Sequence, residues 1–238
     1  MANEHQGRVA VVTGGSGGIG SAIAARLGQG GAIVHVLDVK PPASADGQFH
    51  SVDVANEAQV NDAFNAIGGA SGRIDYLVCC AGVYRARPFL ELSLEDWQQT
   101  LQINLTGYFL CCRAVLHYMR PQRFGRIVLF SSVDARTGKN VAHYTASKGG
   151  ILGLMRSLAL ESAGENIRVN AISPGMTDTP TLRAVVPNEN MESQRKRIPL
   201  DRIGQVQDMA DACMFLLSED SSYVMGQDLR VTGGSALW

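Results

Sequence analysis

Tyr144 and Lys148 stand four residues apart in the run Tyr144-Thr-Ala-Ser-Lys148. On a helix, positions i and i+4 share a face, so a phenol and an ammonium at this spacing reach one site. Such a pair can move a proton. A free phenol ionises near pH ~10, too high for a base at neutrality, and a positive neighbour favours the phenolate. Ser131-Ser132 closes the apolar run Ile127 to Phe130, and a serine there can donate a hydrogen bond that positions a reacting oxygen. Asn104 lies between Ile103 and Leu105 in a long amphipathic stretch, where a buried amide needs partners. His143, beside Tyr144, is either a wall of the same pocket or a helix-start residue.

A second feature is Thr13-Gly-Gly-Ser-Gly-Gly-Ile-Gly20, between a strand-like and a helix-like run. Gly15, Gly17 and Gly20 give G-x-G-x-x-G; Gly14, Gly18 and Gly20 equally give G-x-x-x-G-x-G. Bare backbone can approach a pyrophosphate, and a helix start offers free N–H groups to it. A dinucleotide is therefore expected against Gly14, Ser16, Gly17, Gly18, Ile19 and Gly20. Asp38 ends the next strand-like run, 18 residues past Gly20. A carboxylate there accepts from ribose hydroxyls and repels a 2′-phosphate, which points to NAD rather than NADP. Lys40 is the contrary hint. Asp53 is expected near the adenine or as a strand-end turn former.

Strand-like and helix-like runs alternate through the chain. The strands are Arg8–Thr13, Ala32–Asp38, Phe49–Val52, Ile74–Cys79, Gly125–Phe130, Ile167–Ile172 and Gln227–Val231. Helical spacing fills most of the gaps, with one long helix over Leu94–Met119, another over Ala142–Ser162 and a third over Val206–Leu217. Only 14 residues separate Asp38 from Asp53, and Pro41-Pro42 lies among them, so no full helix fits that crossover. Near-continuous apolar strands imply a parallel sheet covered on both faces. The expected fold is an α/β, Rossmann-like doubly wound sheet of about seven strands, in a single domain spanning residues 1–238. Residues 174–204, rich in proline and charge, follow a strand's carboxyl end and are expected to form a lid over the substrate.

Composition excludes other classes. The 238 residues carry 21 Lys+Arg against 22 Asp+Glu, so the basic excess of a nucleic-acid binder is missing. No apolar run approaches a membrane span, and the N-terminus is polar, so a cytoplasmic location is expected. The five cysteines show no C-x-x-C spacing and read as buried, reduced thiols. No histidine–carboxylate cluster calls for a metal.

These pieces, with Asp53-Val54, Ala81-Gly82, Ser173-Pro174-Gly175 and Gly226-Gln227…Gly233-Gly234, resemble the ordinary-length branch of the short-chain dehydrogenase/reductase family over essentially the whole chain. The resemblance implies a catalytic set of Asn104, Ser132, Tyr144 and Lys148. Tyr144 would be the acid/base and Ser132 the oxygen's donor. Lys148 would hold the cofactor ribose, and Asn104 would anchor a water that links Lys148 to solvent. It implies cofactor contacts at Val54, Ala81, Gly82, Tyr144, Lys148, Pro174 and Gly175, with Thr177 and Thr179 on the carboxamide. It further implies a secondary alcohol or ketone as the small-molecule substrate. Homodimers or homotetramers would form through Leu94–Met119, Ala142–Ser162 and Gln227–Trp238. The chain is similar to 2,3-dihydro-2,3-dihydroxybenzoate-type dihydrodiol dehydrogenases, which would make the substrate a cyclic diol; Arg85, Arg87, His143 and Arg183 could meet its ring, while the simpler expectation for each is a surface residue. An NADPH-dependent 3-oxoacyl carrier-protein reductase is the rival enzyme; a catalytically silent NAD sensor or scaffold is the non-enzyme rival. Three departures from the family pattern stand out. Cys79-Cys80 replaces Asn-Asn before Ala81-Gly82, Thr232 replaces a frequent Asp, and Ser132 precedes Tyr144 by 12 positions rather than 13.

Overall fold

The β-branched runs form strands because their side chains fill both faces of a covered sheet. The computed structural model describes residues 4–43, 46–136 and 138–236. Residues 1–3 of the polar N-terminus and residues 237–238 of the expected C-terminal contact lie outside them. Strands β1 (Val9–Thr13), β2 (Ile33–Asp38), β3 (Gln48–Ser51), β4 (Tyr76–Cys79), β5 (Gly125–Phe130), β6 (Ile167–Pro174) and β7 (Asp228–Val231) make one parallel sheet, ordered β3-β2-β1-β4-β5-β6-β7. Strand order reverses between β1 and β4, the place where such sheets open a crevice at their carboxyl edge.

Alternate residues divide the core in two. Val9, Val11, Leu37, Leu77 and Leu129 pack on one face with α2 (Glu57–Ser71), α4 (Gly107–Gln122) and α5 (Ala142–Ser162). Ala10, Val12, Val36, Val78 and Val128 pack on the other with α1 (Gly18–Gln29) and α8 (Val206–Leu217). Among the described residues no helix lies between β2 and β3, in line with the short Pro41-Pro42 spacing.

Two elements differ from the sequence expectation. The helix expected over Leu94–Met119 is α3 (Leu94–Leu101), a π-helical turn at Gln102–Thr106, and then α4. Apolar residues keep a spacing of three or four through the turn, so the extra residue leaves no mark on the pattern. The stretch 174–204 is not irregular throughout: it holds α6 (Pro180–Val185) and α7 (Asn188–Arg195). Thr179 caps α6 and Pro180 supplies its first turn, a start signal inside a proline-rich segment.

Candidate active site

A cleft of about 780 Å³ opens at the carboxyl edge of the sheet. At one end it is walled by the glycine turn. Gly14 has φ +65°, and a Cβ there would meet the Ala81 peptide nitrogen at 2.5 Å, so only glycine lets the turn lie against the β4 loop. Gly17 precedes α1 without capping it through a side chain, and the first turn of α1 carries no acid. The amides at this helix start therefore face the cleft with a positive dipole end and no internal anion. Gly14, Gly17, Gly18, Ile19 and Gly20 all line the cleft.

Asp38 lines the same end. Its carboxylate accepts from the Ser16 N–H at 3.1 Å and the Lys40 N–H at 3.2 Å. The Ser16 hydroxyl donates to the Lys40 carbonyl at 2.6 Å. The carboxylate is thus fixed at the rim, and the Lys40 backbone is fixed with it. Asp53 and Val54 also line the cleft. Asp53 is a turn former as well, accepting from the Ala55 N–H at 2.9 Å. An acceptor at the rim, uncapped amides and bare glycine backbone suit a dinucleotide's ribose and pyrophosphate.

At the other end, β5 and α5 bring Ser132, Tyr144 and Lys148 to the cleft wall. The two serines divide their work. Ser131 donates to the Lys148 carbonyl at 2.9 Å, tying β5 to α5. Ser132 faces the Tyr144 phenol and favours its ionised form, but burial dominates and pushes that phenol up to about 12. Lys148 Nζ donates to the Phe130 carbonyl at 2.8 Å, and burial lowers its pKa to about 8. The ammonium is turned to a backbone carbonyl and lies 5.7 Å from the Tyr144 ring centroid, so without a cofactor burial sets the direction of the phenol's shift; the positive nicotinamide expected to act with Lys148 would add its pull towards the phenolate.

Asn104 is fully buried in the π-helical turn. Its Oδ1 accepts from the Val83 N–H at 2.8 Å, and its Nδ2 donates to the Val83 carbonyl at 3.0 Å and to Ser147 at 3.3 Å. The amide thereby clamps the Ala81-Gly82-Val83 loop to α5, and Ala81 and Gly82 line the cleft. Pro174, Gly175, Thr177 and Thr179 line it from the β6 side. The Thr177 hydroxyl donates to the Gly175 carbonyl at 3.0 Å, and Thr179 caps α6.

Arg85, Arg87 and Arg183 are exposed and do not line the cleft, as the simpler surface expectation had them. Arg85 donates to Gln99, Arg87 sits 3.8 Å from Asp96, and Arg183 forms a two-pronged pair with Asp178. His143 does not line the cleft. Its ring is fully buried, and burial lowers its pKa. Lining residues that the sequence did not single out include Tyr84, Val133, Asp134, Gln194 and Arg197. Asp134, two residues past Ser132, carried the one available signal: a charge beside a candidate donor. Among the described residues, no group of three or more metal-binding side chains occurs and no helix is long and apolar enough to cross a membrane.

Residues 14–236 match the Enoyl-(Acyl carrier protein) reductase family. A 3-oxoacyl-[acyl-carrier-protein] reductase of Aquifex aeolicus is 38% identical over 96% of this chain and 97% of its own. A 2-dehydro-3-deoxy-L-rhamnonate dehydrogenase (NAD(+)) of a Sphingomonas strain is 34% identical over 98% and 97%. The solved aldohexose dehydrogenase of Thermoplasma acidophilum superposes with a TM-score of 0.95 at 32% identity, covering 100% of this chain and 97% of that one. With these relatives and this fold, the chain belongs to the short-chain dehydrogenase/reductase family, whose members use a nicotinamide cofactor, and it is an oxidoreductase of alcohols and ketones.

Proposed function

We propose that the protein interconverts a secondary alcohol and a ketone with NAD(H), using Tyr144 as the acid/base. The observation that carries this is a single cleft lined both by the uncapped glycine turn with Asp38 and by Ser132, Tyr144 and Lys148. Gly14 and Ser16 to Gly20 would hold the pyrophosphate, and Asp38 the adenosine ribose. Asp53 and Val54 would flank the adenine. Ala81, Gly82, Lys148, Pro174, Gly175, Thr177 and Thr179 would hold the nicotinamide half. Bound there, the nicotinamide supplies the hydride acceptor or donor.

The chain's own residues handle the proton. The Tyr144 phenolic oxygen gives it to, or takes it from, the substrate oxygen. Ser132 donates a hydrogen bond to that same oxygen and fixes its position. Lys148 adds positive charge beneath the phenol. Asn104 is a positioning residue, holding the Val83 loop against α5 through Ser147.

Residues 174–204 act as a lid in a single catalytic domain, since α6 and the chain after it bring Leu182, Val185 and Val186 to the cleft. Exposed Phe109 on α4 and Leu160 on α5, at 43% and 84%, support a homodimer or homotetramer through those helices, with β7 at the free sheet edge as a second contact. Elution as a monomer would remove that assignment. Free thiols at all five cysteines accord with a cytoplasmic enzyme.

Tyr144→Phe tests the mechanism. Turnover should fall by about 10²–10⁴, the worth of a general acid/base, while NADH binding persists. Equal rates in variant and parent would refute it. The rival reading, a carrier-protein-linked 3-oxoacyl reduction with NADPH, draws support from the Aquifex relative. It requires turnover of acyl thioesters above that of free alcohols.

A further inference from the structure

Asp134 takes no part in the proton transfer described above, yet it lines the cleft beside the groups that do. It follows Ser132 by two positions, and its backbone N–H donates to the Ser132 hydroxyl at 3.1 Å. The Tyr84 ring packs edge-on against Tyr144, with centroids 4.8 Å apart, and the Asp134 charge acts on both phenols. Asp134 is half-buried, and burial raises its own carboxyl pKa. Among the described residues, nothing donates a hydrogen bond to this carboxylate and no cation pairs with it. Its oxygens are not among the buried atoms left without a partner, so water meets them in the open cleft, and a ligand that displaces this water must supply a donor in its place.

A second charge in the cleft narrows the choice of partner. Arg197, on the segment after α7, lines the same cleft, and its side chain has no ion pair among the described residues. Its neighbours are engaged: Arg183 with Asp178, and Arg195 with Glu192 and Asp201. A substrate carboxylate or phosphate beside Tyr144 would face Asp134. A substrate cation would enter a cleft already carrying Lys148 and Arg197. A neutral hydroxyl suits either charge, because it donates to a carboxylate and accepts from a guanidinium.

We propose that the substrate is a neutral polyhydroxy compound, and that Asp134 reads it by accepting a hydrogen bond from a second hydroxyl beside the carbon that reacts. This rests on the dehydrogenase reading above and specifies its substrate class. Asp134 is then a specificity-determining residue. A plain alcohol would leave its carboxylate unpaired inside a filled cleft, and a 3-oxoacyl thioester offers only a methylene beside its ketone.

The test is a matched pair, cis-cyclohexane-1,2-diol against cyclohexanol, followed by NADH formation with the parent enzyme and with Asp134→Ala and Asp134→Asn. The parent should favour the diol in kcat/KM by at least about tenfold, the worth of one hydrogen bond to a charged group. Asp134→Ala should collapse that preference towards one. Asp134→Asn keeps the shape and one acceptor and should fall between them; if the alanine variant does not fold, it carries the comparison. A parent that treats the pair equally, or an alanine variant that loses both substrates in proportion, overturns the assignment while leaving the dehydrogenase intact. Preference for 2-aminocyclohexanol over the diol overturns it in favour of a cation. Turnover of no member of the set by a protein that binds NADH overturns this substrate class, while the dehydrogenase reading stands or falls on Tyr144→Phe.

Discussion

At the amino ends of the strands, Asp75 is fully buried and accepts from the Val9 N–H at 2.9 Å, from Arg8 at 2.9 Å and from Arg73. Next to it, Arg126 donates to Glu219 at 3.0 Å, and Arg168 donates to the carbonyls of Ser218 and Ser221. At the carboxyl ends the accounts stay open. The first turn of α1 has no side-chain cap, Lys148 is a desolvated ammonium on a single strong acceptor, and Asp134 has no donor among the described residues. The same parallel sheet thus pairs its buried charges at the amino ends, although Arg126 Nε and Arg168 Nε find no partner among the described residues, and leaves charges open at the carboxyl ends where a ligand must enter. Stability should respond to the first end and catalysis to the second.

Lys148→Met should separate the two most sharply. Turnover should fall by about 10² or more, because the positive charge beneath the phenol is gone. Stability should move the other way. A pKa of about 8 in the fold, against 10.5 for the free side chain, means that the buried ammonium penalises the native state at neutral pH. The penalty is at most on the order of 3 kcal/mol and is relieved as pH rises from 8 to 10.5. The Phe130 carbonyl keeps a donor in the Tyr108 hydroxyl at 3.2 Å. The variant's melting temperature should therefore exceed the parent's at pH 7, and the gap should close above pH 10. A destabilised variant would show that the carboxyl end is also structural.

Asp75→Asn is the mirror experiment. An amide cannot accept from Arg8, Arg73 and the Val9 N–H together, and it sets donors against donors. Removing one partner of a buried pair costs about 3 kcal/mol, at the low end because both guanidinium groups reach solvent. Urea midpoints should drop, while kcat/KM of the folded fraction at 25 °C stays within about threefold of the parent's, the scatter expected for a remote site. A parallel loss of activity would break the division.

The division was partly legible in the sequence. Tyr144 and Lys148 are one helical turn apart, so their shared face follows from local geometry, and α5 and α8 begin and end where their apolar patterns do. The glycine turn was legible because its backbone need is written in residue type. Other features depend on contacts between distant segments. Asp134, Tyr84 and Arg197 meet at the cleft only after β4, β5 and the 174–204 segment come together. The π-helical turn that carries Asn104 hides under an unbroken apolar rhythm. The burial that raises the Tyr144 pKa and the aim of the Lys148 ammonium are tertiary facts that the local spacing does not carry. The ion pairs of the amino end were not anticipated either: Asp75 lies between Ile74 and Tyr76 inside the strand expected over Ile74–Cys79, and its partner Arg8 comes from a strand far back in the chain.

Asp38 sharpens the comparison within the carboxyl end. Its carboxylate is already held by two backbone donors, those of Ser16 and Lys40, so its substitution should disturb cofactor choice more than folding. Asp38→Ala should weaken NADH binding by about tenfold, or 1.4 kcal/mol, and bring NADPH closer to parity. Asp38→Asn keeps an acceptor and should lose less. Tighter NADPH than NADH binding by the parent, read by fluorescence titration, would overturn the NAD assignment.

The smallest effect lies between the two ends. His35 on β2 and His50 on β3 meet through ring nitrogens 3.0 Å apart, halfway along the outer strands. Burial, with His50 adding to it, pushes the His35 pKa down to about 4, and burial also lowers that of His50. The unfolded chain therefore takes up these protons at higher pH than the folded one. Their stabilising contribution is whole above pH 6.5 and is lost as pH falls towards 4. Discounted for solvent at the sheet edge, it amounts to about 1 kcal/mol. His50→Gln leaves His35 a hydrogen-bond partner and removes the repelling charge, so it should flatten the fall in urea midpoint between pH 7.5 and pH 5. If the mid-strand region is neutral to both ends, kcat/KM at pH 7.5 stays with the parent's. A drop there would mean that the edge strands set the rim at Asp38, whose neighbour across the ladder is Ser51, beside His50.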